Sequence, residues 1–320
     1  MAPETTLRYS ILVPLVGALI TFMSGVNTRL TARVGFLAAA VVIHVAGLAA
    51  ISAILSVKRE EKRAGRLPAW QYLGGVVGVT TVFSSIYAFT TLGASLAVAL
   101  SLLGQALFSI ALDATGFLGR TRFPLSVRRL PGIALAVAGV VVMSHEVIAG
   151  DWRADVPAIL IALAAGATPI ISFTLNSELG RRKGILRSTR ANYVTGLAGT
   201  LLVAAVLGLP VVDAARAVAA AGPFLALGGG FLGVVVVTSM NFVFPRISAF
   251  AATVLLFSGQ ALMGLLLDGL RTGVFDAWKL VGTFVLLIGL AVDSVLTRRV
   301  QEEAINHSTG DASGSGRRPW

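Results

Sequence analysis

The tetrapeptide Gly104-Gln105-Ala106-Leu107 returns as Gly259-Gln260-Ala261-Leu262, and each copy is followed by an aspartate, Asp113 and Asp268, at the same distance. Both copies lie inside long apolar stretches. A carboxylate held at mid-depth of a bilayer costs about 2.5–3.5 kcal/mol by insertion scales, so an acid in such a position needs a function or a partner. Two chemistries fit. Asp113 and Asp268 are candidates for proton coupling or cation recognition, and Arg120 or Arg122 in one copy and Arg271 in the other are their alternative ion-pair partners. Gln105 and Gln260 carry amides that both donate and accept hydrogen bonds, which suits solute recognition as well as helix-to-helix bonding. Ser101, Gln105, Ser109 and Asp113 recur every four residues and form one tilted polar stripe on a helix. Lipid penalises such a stripe, so it should face protein or water.

Other polar residues join this set. Ser84 pairs with Ser239, Tyr87 with Phe242 and Phe89 with Phe244 at one constant offset, with Asn241 beside them. Tyr87, Ser84, Ser239 and Asn241 are candidate solute contacts with Gln105, Gln260 and Ser101, while the aromatics equally suit packing. His44 lies within an apolar span and can titrate near neutral pH; a bonded packing role is the alternative. Asn27 and Asn176 form a further pair, as ligand contacts or, the more expected reading, as caps where a helix leaves the bilayer. Pro169 and Pro245 are candidate helix kinks.

These residues sit on repeated elements. Residues 74–113 and 229–268 align without a gap at an offset of 155, with roughly 16 of the 40 positions identical. Upstream, Gly17, Asn27 and Gly47 align with Gly166, Asn176 and Gly196 at 149; downstream, Gly132 and Gly139 align with Gly282 and Gly289 at 150. The chain is 56% hydrophobic and 13% charged, with a mean hydropathy of +0.85, which is half the charge of an average soluble domain. Ten apolar spans are predicted, roughly at 9–29, 35–57, 71–91, 94–117, 130–148, 156–176, 190–210, 223–243, 248–269 and 278–297. The fold class is therefore all-α and polytopic, with ten transmembrane helices in two five-helix repeats at 1–150 and 151–300. A disordered cytoplasmic tail is expected at 301–320, and 211–222 is a weak candidate for an interfacial helix.

Charge sets the expected orientation. About 20 basic residues fall on one side of the spans, including Lys58, Arg59, Lys62 and Arg63 after the second, Arg128 and Arg129 after the fourth, and Arg181, Arg182, Lys183, Arg187 and Arg190 after the sixth. About six fall on the other, among them Arg29, Arg33, Arg216 and Arg271. That bias puts both termini in the cytoplasm. Five spans per unit is an odd number, so the second unit enters the bilayer from the opposite face, which is an inverted-topology repeat. There is no cysteine, and the three histidines, His44, His145 and His307, are not spaced as metal ligands. No nucleophile elbow, zinc-protease or nucleotide-binding motif occurs, so an enzyme, a metal or a cofactor is not expected.

The patterns Asn27-x-x-Leu30, Pro68-Ala69-Trp70-x-x-Leu73-Gly74-Gly75, Gly104-Gln105-Ala106-Leu107-x(4)-Leu112-Asp113 and Arg128-Arg129-Leu130-x-Gly132 resemble the YdcZ-type (DUF606) branch of the drug/metabolite transporter superfamily. Many members of that branch are single five-helix units; this chain resembles a fused pair, with a second half that keeps Gly229, Gly230, Gly259, Gln260 and Asp268 but has drifted in its first two spans. The resemblance implies a ten-helix inner-membrane exporter of a small metabolite or drug-like solute. The expected partners are that solute, protons and the lipid bilayer, not nucleic acid, with the chain as a monomer or homodimer. A channel-like facilitator and a non-transporting membrane scaffold are the alternatives left open.

Overall fold

A computed structural model describes residues 3–58, 60, 67–115, 127–143, 152–208, 216, 218–243, 249–273, 276–289, 291–292 and 295–296. Among these the chain is helical, with no strand. The helices are α1 (Pro3–Val34), α2 (Phe36–Val57), α3 (Gly74–Leu92), α4 (Ala94–Thr115), α5 (Leu130–Met143), α6 in two segments (Trp152–Ala165 and Ala167–Lys183), α7 (Ile185–Leu207), α8 (Pro223–Val243), α9 (Ala249–Thr272) and α10 (Ala277–Gly289). Six stretches are long and apolar enough to cross a membrane: Leu12–Val34, Phe36–Val57, Ala69–Leu92, Val156–Lys183, Ile185–Leu207 and Pro223–Val243. Their outer faces are apolar: Leu15, Leu202, Val206 and Phe231 are more than half exposed. A soluble helix would put charge there. The tail at 301–320, residues 211–215 and 217 of the expected interfacial segment, His145 and Pro245 lie outside the described residues.

The turns are short. One residue, Gly35, joins α1 to α2, and one residue, Gly184, joins α6 to α7; both have positive φ, 80° and 103°. These two are equivalent at the offset of 149. A side chain would be strained in that conformation, which glycine adopts freely. The tight turn corrects one expectation. Arg187 and Arg190 were expected in a loop, but α7 already begins at Ile185. Its first turn is held by Glu60, whose carboxylate accepts from the backbone N–H of Leu186 (3.3 Å) and Arg187 (3.0 Å). An acidic group at a helix N-terminus satisfies orphan donors and complements the helix dipole, which lets the helix start earlier than hydropathy alone suggests.

One further expectation is revised and another is met. Asn27 and Asn176 do not cap helices. Each lies inside its helix and is buried, at 3% and 1% exposure. Pro169 does break α6, and its mechanism is visible. Proline has no N–H for the Ala165 carbonyl, and the Thr168 hydroxyl donates to that carbonyl instead (2.7 Å). The break falls at Gly166, between the two segments.

The main helix contacts run between the halves and exchange in pairs. α1 packs on α9 and α6 on α4; α2 packs on α8 and α7 on α3. Glycines set the closeness. A β-carbon at Gly17 would overlap the Leu256 carbonyl of α9, and one at Gly166 would overlap the Ser101 carbonyl of α4. Gly259 meets the Pro14 carbonyl, and Gly104 meets that of Leu163. Gly139 meets Leu286, and Gly289 meets Ala136. Each contact becomes its partner when the halves are swapped at the sequence offsets. Such reciprocity is what a two-fold relation between matching surfaces produces. Close approach through small residues is the main packing force between helices in lipid.

Replacing Gly259 with valine is expected to lower stability by about 1–3 kcal/mol through overpacking. Gly199→Ala, where a β-carbon would meet only Val79 and Val76 at ordinary distances of 3.7–3.9 Å, should be neutral or mildly stabilising. Unfolding midpoints of the two purified variants in detergent check this pair.

Candidate functional site

Where the glycine-faced helices meet, they leave a central cavity of ≈ 130 Å³. Its walls come from α1–α4 and α6–α9, and the fifth helix of each half contributes nothing. Eight pairs of its lining residues are equivalent at the repeat offsets: Ile20/Pro169, Met23/Ser172, Ile43/Asn192, His44/Tyr193, Gly78/Gly233, Thr81/Val236, Val82/Val237 and Gln105/Gln260. The cavity is therefore lined by equivalent residues of both halves. A smaller cavity of ≈ 40 Å³ adjoins it and shares Ile20, Thr81, Gln105, Pro169 and Gln260.

Local packing aims the two glutamines inward. Gly104 and Gly259 press α4 and α9 against the opposite half, and the next residue in each helix turns to the cavity. Both glutamines are buried, at 3% and 6% exposure, yet neither side-chain amide has a hydrogen-bond partner among the described residues. The backbone around them is anchored: Thr21 donates to the Gln260 carbonyl (3.2 Å) and Ser101 to the Ala162 carbonyl (3.3 Å).

Most other polar groups on the wall are already partnered. His44 Nδ1 lies 2.8 Å from the Ala40 carbonyl, which assigns the proton to that nitrogen. The Tyr193 hydroxyl donates to the Gly230 carbonyl (3.2 Å), Ser172 to the Gly74 carbonyl (2.9 Å), and Thr81 to the Thr168 hydroxyl (2.7 Å). His44 and Tyr193 meet edge to face, with ring centroids 6.1 Å apart. Each also packs on the other's equivalent glycine: His44 on Gly196 and Tyr193 on Gly47.

The remaining candidates are dispersed. Ser101 lines the smaller cavity. Asn176 sits one layer behind the wall and donates to Ser172 Oγ (3.2 Å) and Asn192 Oδ1 (2.8 Å). Asn241 is buried in a separate cluster, donating to Thr189 (3.2 Å). Tyr87 is 38% exposed on the outer face of α3, and neither it, Ser84 nor Ser239 lines the central cavity. The backbone of Asp113 lies in α4, but its side chain is outside the described residues. Asp268 faces a wider pocket of ≈ 400 Å³ with Arg29 and Arg271, and its Oδ1 accepts from the Ala94 N–H (3.2 Å), holding the first turn of α4. Two wall residues went unnoticed in the sequence as candidate contacts, Asn192 and Ser172. Comparison of the repeats hides them, because their equivalents are Ile43 and Met23.

Comparison with known proteins agrees with this architecture. A solved structure described only as "Crystal structure of protein" aligns with 93% of this chain and 99% of its own, with a TM-score of 0.59 at 17% identity, a likeness of fold. No curated protein matches the chain. The profile of the family described as "Putative inner membrane exporter, YdcZ" matches twice, over residues 8–142 and 157–292. The chain thus belongs to the YdcZ family of the drug/metabolite transporter type, with two copies of the family's unit in succession.

Proposed function

We propose that this protein is a secondary carrier that exports a small metabolite or drug-like solute by alternating access. In this reading all ten helices cross the inner membrane, residues 1–150 and 151–300 form inverted repeats, and both termini are cytoplasmic. The observation that carries it is the pairing of Gln105 with Gln260 in one cavity lined by equivalent residues of both halves. Inverted-repeat carriers hold their solute at such a place and move by rocking one repeat against the other. The odd number of spans per unit and the basic bias of one set of loops support the inversion and the orientation. The sequence has no nucleotide-binding motif, so the solute's own gradient or a proton gradient supplies the work.

Asp268 is the described residue best placed for proton coupling. Its carboxylate holds the start of α4 through Ala94 and faces Arg29 and Arg271 across the wider pocket. Gln105 lies on the same helix. A proton on Asp268 would weaken the hold on that turn and so shift the helix that carries the glutamine. Asp113 is its equivalent in the other half.

Two experiments test this reading. The chain has no native cysteine, so Gln260→Cys gives a single reporter. It should react with an impermeant maleimide added to either face of oriented vesicles, through states open to one side at a time. Reaction from one face under every condition contradicts alternating access. Asp268→Asn keeps an acceptor for the Ala94 N–H but cannot titrate. Its unfolding midpoint should match the parent, while the pH dependence of Gln260→Cys labelling should disappear. Retention of that dependence removes Asp268 from the coupling.

A further inference from the structure

The symmetry of the cavity is broken at one amide. In both halves the asparagine Oδ1 packs on a glycine: Asn176 on Gly74 and Asn27 on Gly229. In the second half, Asn176 Nδ2 then has two partners, Ser172 Oγ and Asn192 Oδ1. The equivalent positions in the first half are Met23, whose thioether is only a weak acceptor, and Ile43, which has no acceptor. Asn27 is 3% exposed and lines the cavity; its Oδ1, like that of Asn176, has no hydrogen bond, but its Nδ2, unlike that of Asn176, has no partner among the described residues. Asn176 does not line it.

Three unpartnered amides thus face one space: Asn27, Gln105 and Gln260. A buried polar group without a partner is destabilising, and a ligand that supplies the partner removes that penalty. The rest of the wall is mostly apolar, with Ile20, Val82, Phe173 and Leu256 prominent, and His44, Thr81, Ser172, Asn192 and Tyr193 on it each make at least one internal hydrogen bond. Among the described residues the cavity lining includes no Asp, Glu, Lys or Arg. An ion brought there would lose its hydration and meet no carboxylate, ammonium or guanidinium of opposite charge among the described residues. A cavity of ≈ 130 Å³ is close to the size, about 150 Å³, that accommodates one benzene ring in a protein interior.

We propose that the central cavity selects an uncharged solute, an apolar body bearing an amide-like or hydroxyl group that is hydrogen-bonded by Asn27, Gln105 and Gln260. This rests on the reading of the cavity as the carrier's solute site. Three probes of one shape and different charge separate the classes: benzamide is neutral, benzoate is an anion and benzamidine is a cation at neutral pH. Benzamide should raise the unfolding midpoint of the purified protein in a saturable way, and the two ions should not. Asn27→Leu, which keeps the branched outline of the side chain without its polar atoms, should weaken benzamide at least tenfold. Asn27→Asp, which adds charge without changing shape, should reverse the preference toward benzamidine. Stabilisation of the parent by either ion as strong as that by benzamide, or no effect of benzamide, overturns the proposal. Unchanged affinity in Asn27→Leu removes Asn27 from the site and overturns it as stated. The carrier reading falls separately. Benzamide binding with Gln260→Cys reactive from one face only would leave the solute class standing and remove the transport cycle, and an ion bound in a protein whose Gln260→Cys alternates would do the reverse.

Discussion

The contact on which everything else depends is backbone against backbone at glycines shared between the halves. In lipid no hydrophobic driving force gathers helices, and van der Waals packing at close range must do so. Gly17, Gly104, Gly166 and Gly259 bring α1, α4, α6 and α9 so near that a single methyl group would collide with a carbonyl of the facing helix. Because these glycines come in equivalent pairs, the surfaces they make are self-matching. The halves therefore interleave, and each helix of the first four finds its main neighbours in the other half. The central cavity is what remains where the glycine contacts give way to larger and polar side chains.

That constraint also explains why polar groups are affordable at the centre. Helices that pack tightly on both sides exclude lipid from the seam, so amides there meet protein or water rather than hydrocarbon. Most of them are used up in fixing the architecture: Ser172 ties α6 to α3, Tyr193 ties α7 to α8, and Asn176 ties α6 to α7. Divergence after duplication left the two halves unequal. The second half spends its polar residues on internal bonds, and the first half replaces Ser172 and Asn192 with Met23 and Ile43. A symmetric scaffold with an asymmetric wall can bind an asymmetric solute, which two identical halves could do only in degenerate orientations.

The helical class, the membrane character and the paired glutamines were legible because each rests on a local or repeated signal: apolar length for the spans, identity at a fixed offset for Gln105 and Gln260. The outward position of Tyr87 was not legible, since an aromatic on a membrane helix looks the same in sequence whether it faces lipid or a cavity. The interior place of Asn27 and Asn176 was missed because polar residues near a span's expected end mimic caps; α1 runs on to Val34 and α6 to Lys183. Asn192 escaped for the opposite reason, as repeat comparison finds what both halves keep, and Asn192 is kept by one half alone. The early start of α7 depends on Glu60, some 126 residues upstream of Leu186, and no local pattern announces a cap from so far away.

The central claim is that equivalent points of the two halves lie on opposite faces of the membrane. Lys58 and Leu207 end α2 and α7, are equivalent at the offset of 149, and are both exposed. Each can be made the sole cysteine of the chain. In right-side-out vesicles the account predicts that an impermeant maleimide labels Leu207→Cys at once and Lys58→Cys only after the membrane is opened. Labelling of both from the same face would contradict the inverted arrangement, and with it the carrier built upon it.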